Sequence, residues 1–146
     1  MLTTTALRQR GSVLMLMPAA VLVMLVLGSI AVDFAFVGLR ERELRNAAAG
    51  AANDAATAGL SRVALREGDT TLDPDEVERV VDAALAATDL HLAAPPVVEI
   101  GPDGRTVTVF LAATYEYVFA KALPGAPDHF TVRSRATARS VVADEG

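Results

Sequence analysis

An uncharged run of 22 residues, GSVLMLMPAAVLVMLVLGSIAV, extends from Gly11 to Val32. As an α-helix this run would be about 33 Å long, which matches the roughly 30 Å hydrocarbon thickness of a bilayer. The run is apolar on all sides, and the rest of the chain is too small to enclose it as a buried core helix. The sequence therefore predicts a transmembrane helix over residues 12–32, in which Pro18 introduces a kink of the kind that membrane helices tolerate.

A cleavable signal peptide is the main alternative for this run. Arg8 and Arg10 form a basic segment before it, and Ser29-Ile30-Ala31 offers small residues to a signal peptidase. The run is longer than the usual apolar core of a signal peptide, and the helical pattern continues past Ala31 without a break. We therefore expect the segment to be retained as an anchor.

The basic residues on the two sides of the span are nearly balanced. Two arginines precede it and three closely follow it: Arg8 and Arg10, then Arg40, Arg42 and Arg45. Long domains cross membranes largely regardless of their charge. We therefore expect residues 1–11 to be a cytoplasmic tail, the protein to lie in the cytoplasmic (inner) membrane, and the C-terminal part to be extracytoplasmic.

The composition excludes several classes of protein. The 146 residues include no cysteine, which removes disulfides, thiolate metal sites and thiol nucleophiles. A formal net charge of −5 argues against a nucleic-acid binder. With 52% hydrophobic and 21% charged residues, the chain does not have the composition of a disordered protein.

The helical pattern continues beyond the span into an alanine-rich segment. Positions 19 to 73 contain no proline, and alanine, the best helix former, occurs 28 times in the chain. Gly68 supplies a stop signal. We expect one long helix over about residues 12–66, with residues 33–68 forming its juxtamembrane part.

Small residues recur every four positions in this juxtamembrane part. One row, here called the small-residue seam, consists of Ala47, Ala51, Ala55 and Gly59. Its narrow face would allow another backbone to approach closely, although alanines in such a helix also simply favour helix formation. The spacing does not decide whether the seam faces the protein's own sheet or neighbouring copies.

Residues 69–146 predict a small extracytoplasmic head that begins with a second helix. Asp73 is a suitable N-cap, Pro74 suits the first helical position, and Glu76 lies three residues after the cap. An apolar stripe at helical spacing then favours a helix over residues 74–88; its members are Val77, Val80, Val81, Ala84 and Leu85.

The remainder of the head predicts three strands. A short strand over 97–100 leads to the turn Gly101-Pro102-Asp103-Gly104. Apolar and polar residues then alternate from Val107 to Phe119 and again from Phe130 to Val142. The predicted fold class is α+β and pilin-like: a long N-terminal transmembrane helix continues into a head of one further helix and a three-stranded antiparallel sheet.

The N-terminal third resembles the TadE/TadG-like proteins of the Flp (tight-adherence) pilus-assembly system. The similarity covers about residues 8–60 and is carried by Arg10-Gly11-Ser12-Val13, Ala31-Val32-Asp33, Arg42-Glu43-Leu44-Arg45-Asn46-Ala47-Ala48 and Asn53-Asp54-Ala55-Ala56-Thr57-Ala58-Gly59-Leu60. The resemblance implies a single-pass membrane protein of minor-pilin or pseudopilin character. Some family members are cut by a prepilin peptidase after a glycine, with glutamate five residues beyond. Gly11 is the candidate for such a cut, but Leu16 stands where the glutamate would be, so an unprocessed anchored protein fits better.

The sequence offers no convincing catalytic or metal site. His91 and His129 each lack a second ligand at helical or hairpin spacing. The acidic residues between Asp69 and Glu78 lack the glycine and the closing glutamate of an EF-hand loop. Val63 replaces the second glycine that a nucleophile elbow requires. We expect no enzymatic activity, no cofactor, no nucleic-acid partner and no small-molecule substrate.

Two polar features remain as candidate contact sites. Asp33, at the end of the span, is either an interfacial carboxylate or a polar contact to a partner helix. Three arginines alternate along the last strand and form either a solvated face or a docking face for an acidic partner: Arg133, Arg135 and Arg139.

The function predicted from the sequence is a structural, non-catalytic component of Flp/Tad-type pilus assembly. Its partners would be the membrane and other pilus-assembly proteins or copies of itself. The alternative is a tethered extracytoplasmic ligand-binding or sensing module unrelated to pili. A ligand pocket lined by Tyr115 and Tyr117 would favour that alternative.

Overall fold

The computed structural model describes residues 10–60, 71–122 and 124–140, with side chains in the first helix described from residue 16 onward. Helix α1 is Arg10–Ala58 and helix α2 is Pro74–Ala86. The strands are β1 (Val97–Ile100), β2 (Thr106–Glu116) and β3 (His129–Arg139), and a single 3-10 turn, Ala120–Ala122, lies between β2 and β3. The predicted α+β class, with one long helix, one further helix and three strands, is confirmed.

The three strands form an antiparallel meander in the order β1-β2-β3. Strands β2 and β3 pair along their whole length, from Thr106 opposite Arg139 to Glu116 opposite His129. Their alternation places one face of the sheet in the core, where Val107 and Val109 are fully buried. The opposite face carries threonines and arginines in the exposed or half-buried positions that the sequence predicts.

The core lies between this face of the sheet and the two helices. Leu44 of α1 and Val77 and Val81 of α2 are fully buried there. Asp73 caps α2 as predicted, because its Oδ1 accepts from the N–H of Asp75 at 3.1 Å. Helix α2 thus covers one side of α1 while the sheet covers another.

The upper part of α1 and the long strands have matching lengths. Residues 33–58 of α1 extend about 38 Å at 1.5 Å per residue, and the eleven residues of β2 extend about 36 Å. At the far end, the N–H of Leu72 donates to the carbonyl of Gly104 at 2.8 Å and joins the β1–β2 turn to the segment before α2. The β2–β3 loop consequently lies at the level of Asp33.

The lower part of α1 projects from the head with its apolar side chains exposed. Leu22 is 63% exposed and Met24 is 74% exposed. By length and composition, this helix is long and apolar enough to cross a membrane.

Helix α1 ends at Ala58, earlier than the predicted end near residue 66. Leu60 forms an isolated antiparallel bridge with Leu72, and the carbonyl of Gly59 accepts from the N–H of Asp73 at 2.9 Å. These contacts turn the backbone away from the path of α1 at Gly59, and residues 61–66 of the predicted helix lie outside the described residues. The predicted stop signal, Gly68, lies outside the described residues.

Three other predicted boundaries extend beyond the observed ones. Strand β3 ends at Arg139, whereas the predicted alternation continues to Val142, which lies outside the described residues. Helix α2 ends at Ala86 rather than at residue 88, and β2 ends at Glu116, before the predicted alternation reaches Phe119. Phe119 lies on the β2–β3 loop and is 46% exposed. The backbone turns there because it binds Asp33, a contact that periodicity along the chain does not encode.

Candidate functional site

The carboxylate of Asp33 joins α1 to the β2–β3 loop. Its Oδ1 accepts from the N–H groups of Val118 and Phe119 at 2.9 and 3.1 Å, and its Oδ2 accepts from that of Ala120 at 2.8 Å. The side chain is only 7% exposed. Because the first N–H groups of a helical turn have no partner within the turn, a carboxylate placed there satisfies donors that would otherwise need water.

An aromatic cluster packs above this junction. Phe130 of β3 stacks with Tyr115 and Tyr117 at centroid distances of 5.6 and 4.9 Å. Phe36 of α1 meets the same Phe130 ring edge-on at 6.4 Å. Four rings therefore hold α1, near Phe36, against the ends of β2 and β3.

Arg40 lies one helical turn above Phe36 and contacts two rings of the cluster. Its guanidinium carbon is 4.9 Å from the Phe36 centroid and 5.2 Å from that of Tyr115, and its Nη1 donates to Glu43 at 2.7 Å. Burial raises the pKa of Tyr115, Glu43 raises it further, and Arg40 opposes the rise. The Tyr115 hydroxyl is buried and has no hydrogen-bond partner among the described residues.

A cavity of about 300 Å³ lies beside the Asp33 junction. It is formed between α1 and the loop, and its lining is largely apolar: Ile30, Asp33, Phe34, Val37, Tyr117, Ala120 and Pro127. Tyr117 thus lines this cavity, whereas the Tyr115 ring packs between Arg40 and Phe130. Only one of the two tyrosines therefore lines the cavity, which does not match the pocket lined by both that would favour the alternative function.

The small-residue seam packs inside the protein's own head. Ala51 and Ala55 are 2% and 0% exposed, Gly59 is buried, and Ala47 is half-buried against the core. A Cβ on Gly59 would lie 2.4 Å from the carbonyl oxygen of Ala55 and 2.5 Å from Cγ2 of Val77. The seam therefore packs against α2 and the sheet of the same chain. The four-residue spacing alone did not decide between this contact and a contact with neighbouring copies.

The structure gives different environments to the other predicted contact residues. Asp33 binds the protein's own loop, so within this chain its carboxylate already has three donors. Arg133, Arg135 and Arg139 are exposed on the outer face of the sheet, and Nε of Arg139 lies 3.8 Å from Oδ2 of Asp103. Gly11, the candidate cleavage position, lies within α1.

The described residues contain no group of three or more histidines and carboxylates placed to hold a metal ion. His91 is exposed, and His129 pairs with its neighbour Asp128, whose pKa it lowers by hydrogen bonding. Within the predicted acidic run, Asp73 caps α2 and Glu76 pairs with Arg79. Lys121 pairs with Glu116 at 3.1 Å.

The aromatic cluster with Arg40 was not predicted from the sequence. The spacing of Phe36 and Arg40 is that of neighbours on one helix face, which gives a weak signal for their contact. The pairing of Tyr115 with Phe130 depends on strand register, which the loop length does not fix. Comparisons with protein-family models, with curated proteins and with solved structures find no match to this chain.

Proposed function

We propose that the protein is a single-pass, membrane-anchored component of Flp/Tad-type pilus assembly, similar to the TadE/TadG-like proteins, with a structural and non-catalytic role. The observation that carries the proposal is the division of α1 into two parts. Between Leu16 and Val32 the helix is apolar and largely exposed, and above Asp33 it is packed into a small head. This division supports the pilin-like plan predicted from the sequence, in which a long N-terminal helix continues into a small head with an antiparallel sheet.

Anchoring in a membrane follows from the cost of leaving the lower part of α1 in water. Consecutive side chains from Leu16 to Leu27 are exposed, most of them large and apolar, and soluble monomers rarely expose contiguous apolar surfaces larger than a few hundred Å². The hydrocarbon of a bilayer accepts such a helix, because its backbone groups are satisfied internally. We further propose that the N-terminus is cytoplasmic and that the head lies outside the cytoplasmic membrane.

An assembly role requires surfaces of the head that remain available to partners. Since the seam is packed internally, partner contacts fall on other faces, and the outer face of the sheet presents Arg133 and Arg135 in exposed positions. Arginines in a row suit carboxylates of an acidic partner, because each offers several fixed donors. This face is the surface that we propose contacts other assembly proteins.

Leu22→Asp tests the anchor, and Leu39→Asp is its matched control. Both leucines lie on α1 and are similarly exposed, at 63% and 61%, but only Leu22 lies in the uncharged run. Because a charge at mid-bilayer costs about 2.5–3.5 kcal/mol on the insertion scale, Leu22→Asp should release the protein from carbonate-washed membranes. Leu39→Asp should remain membrane-bound, and equal retention of both variants contradicts the anchor.

Deletion of the gene in its own bacterium tests the role in pili. We expect loss of surface pili by electron microscopy and restoration by the wild-type gene. Complementation with Arg133→Glu/Arg135→Glu should fail, whereas Arg105→Glu, a charge reversal at another exposed arginine on the β1–β2 turn, should succeed. Normal piliation in the deletion strain contradicts the proposal and favours a tethered binding or sensing module.

A further inference from the structure

We propose that the β2–β3 loop is a second membrane contact, in which Val118 and Phe119 insert into the lipid headgroup region beside the transmembrane helix. The inference rests on the membrane anchoring in the proposed function but not on the role in pili. It assigns to the base of the head a lipid-binding surface, distinct from the helix that crosses the bilayer.

The level of the loop is set by its hydrogen bonds to Asp33. Asp33 directly follows Val32, the last residue of the uncharged run, and the N–H groups of Val118, Phe119 and Ala120 bind its carboxylate. If residues 12–32 cross the hydrocarbon, a loop held at 2.8–3.1 Å from Asp33 lies at the boundary between hydrocarbon and headgroups. No hinge separates the two, because α1 is continuous through this point.

The backbone N–H groups at residues 118–120 of the loop already have hydrogen-bond partners within the protein, which suits a region that is poor in water. Amide groups in such an environment are costly unless they have hydrogen-bond partners. Three consecutive N–H groups, those of residues 118–120, have the Asp33 carboxylate as their partner. Farther along the loop, the N–H of Ala122 donates to the carbonyl of Phe119 at 2.9 Å.

The side chains of the loop point outward although their backbone is held inward. Val118 and Phe119 are 42% and 46% exposed, and Phe34, beside Asp33 on α1, is 74% exposed. The apolar cavity next to Asp33 extends to Ile30, one turn farther into the run. Exposed apolar side chains of the loop and of α1 thus lie close to Asp33, as contact with the upper acyl chains and glycerol backbones of lipids would require.

We favour lipid over a second protein copy as the occupant of this surface, because the surface lies at the level of the membrane boundary. Any surface at the level of Asp33 on an anchored helix faces lipid unless another chain displaces it. Tyr117 and Lys121, at the ends of the loop's exposed segment, are residue types that occur at membrane–water interfaces.

Spin labels on single cysteines test the contact in the whole 146-residue chain, whose sequence contains no cysteine. Val118→Cys places the label on the loop, and Val97→Cys is the matched control: a valine that is 55% exposed on β1. Each labelled chain is reconstituted in vesicles of phosphatidylcholine and phosphatidylglycerol. Collisions with oxygen, which partitions into lipid, and with a water-soluble nickel chelate are then measured by electron paramagnetic resonance.

We expect the label at position 118 to collide several-fold less with nickel and more with oxygen than the label at position 97. Phe119→Cys should give the same result, which protects the conclusion against a local distortion in one variant. Equal nickel accessibility at 118 and 97 in protein that resists carbonate extraction overturns the inference and leaves the anchor intact. Release of the wild-type protein by carbonate instead refutes the proposed function.

Dilution of the protein in lipid separates lipid contact from contact with a second copy. Protection at position 118 should be unchanged as the protein-to-lipid ratio falls. Protection that disappears on dilution, together with spin–spin broadening at high ratio, means that a second copy covers the loop and overturns the inference.

Discussion

The backbone N–H of Ala120 donates to Oδ2 of Asp33 over 2.8 Å, although the two residues are 87 positions apart in the chain. This bond and its two neighbours hold the hairpin end of the sheet against α1 at the point where the helix leaves the head. This carboxylate, which is 7% exposed, thus helps to hold the head in position against the projecting apolar helix.

Asp33→Ala should destabilise the attachment of the β2–β3 loop. Three backbone donors lose a charged acceptor, and a hydrogen bond to a charged group contributes about 1.5–3 kcal/mol, so the free energy of unfolding should fall by at least this amount. Urea unfolding in detergent, followed by the fluorescence of Tyr115 and Tyr117, measures the loss. Asp54→Ala removes an exposed carboxylate from the same helix and should change stability by less than about 0.5 kcal/mol. Equal stability of the two variants would show that the Asp33 bonds contribute nothing.

Leu44→Ala should destabilise the head by about 2–5 kcal/mol, because it leaves a cavity in the fully buried centre of the core. Leu39→Ala is the matched change on the same helix at a position that is 61% exposed, and it should have little effect. The same urea measurement compares them. A small loss at both positions would mean that α1 does not pack on the sheet as described.

Alanine substitutions at Gly59 and Gly50 should have opposite effects. At Gly59 the added methyl group would meet the carbonyl of Ala55 and a methyl of Val77 at less than van der Waals distance, so the head must shift and lose stability. At Gly50, which is exposed within α1 with nothing within 4 Å, alanine should stabilise the helix by about 0.5–1 kcal/mol. Thermal unfolding by circular dichroism gives both signs, and a stabilising Gly59→Ala would contradict the close approach of α1 and α2.

The β1–β2 turn should lose stability in acid through Asp103. Its carboxylate accepts from the Thr106 hydroxyl at 2.7 Å and from the N–H groups of Arg105 and Thr106 at 3.0 Å, and these bonds lower the pKa of Asp103. A folded-state pKa below the unfolded value of about 3.9 means that the stabilisation is complete above that value and is lost as the pH falls through the folded pKa.

Asp103→Asn should therefore be less stable than the wild type near neutral pH, with the difference shrinking in acid. Urea unfolding at a series of pH values measures this difference, and Asp54→Asn controls for removal of an exposed carboxylate. A gap between wild type and Asp103→Asn that widens as the pH falls would contradict the sign of the shift.

Tyr115→Phe should be neutral or stabilising by up to about 1 kcal/mol. The hydroxyl is buried without a hydrogen-bond partner among the described residues, so its removal ends a desolvation cost while the ring keeps its contacts with Arg40 and Phe130. Tyr115→Leu removes those ring contacts and should be destabilising. Circular dichroism compares the two, and a marked loss in Tyr115→Phe would show that the hydroxyl has a partner in solution.

Features encoded by nearest neighbours in the chain were predictable. The apolar run, the Asp73 cap and the alternation of β2 each depend only on residues within a few turns of one helix or within one strand. The small-residue seam was recognised for the same reason. The surface that packs against the seam could not be predicted, because a four-residue spacing indicates a narrow helix face but not what lies against that face.

Local patterns are enough to divide the chain into a long apolar helix and a small α+β head, because burial patterns and helix signals involve neighbouring residues. Long-range packing sets the end of α1 at Ala58, the contact of the seam with its own head, and the binding of Asp33 to the loop at residues 118–120. Each of these depends on contacts between residues far apart in the chain. The strand register and the equal lengths of helix and sheet bring those residues together, and no periodicity along the sequence records either.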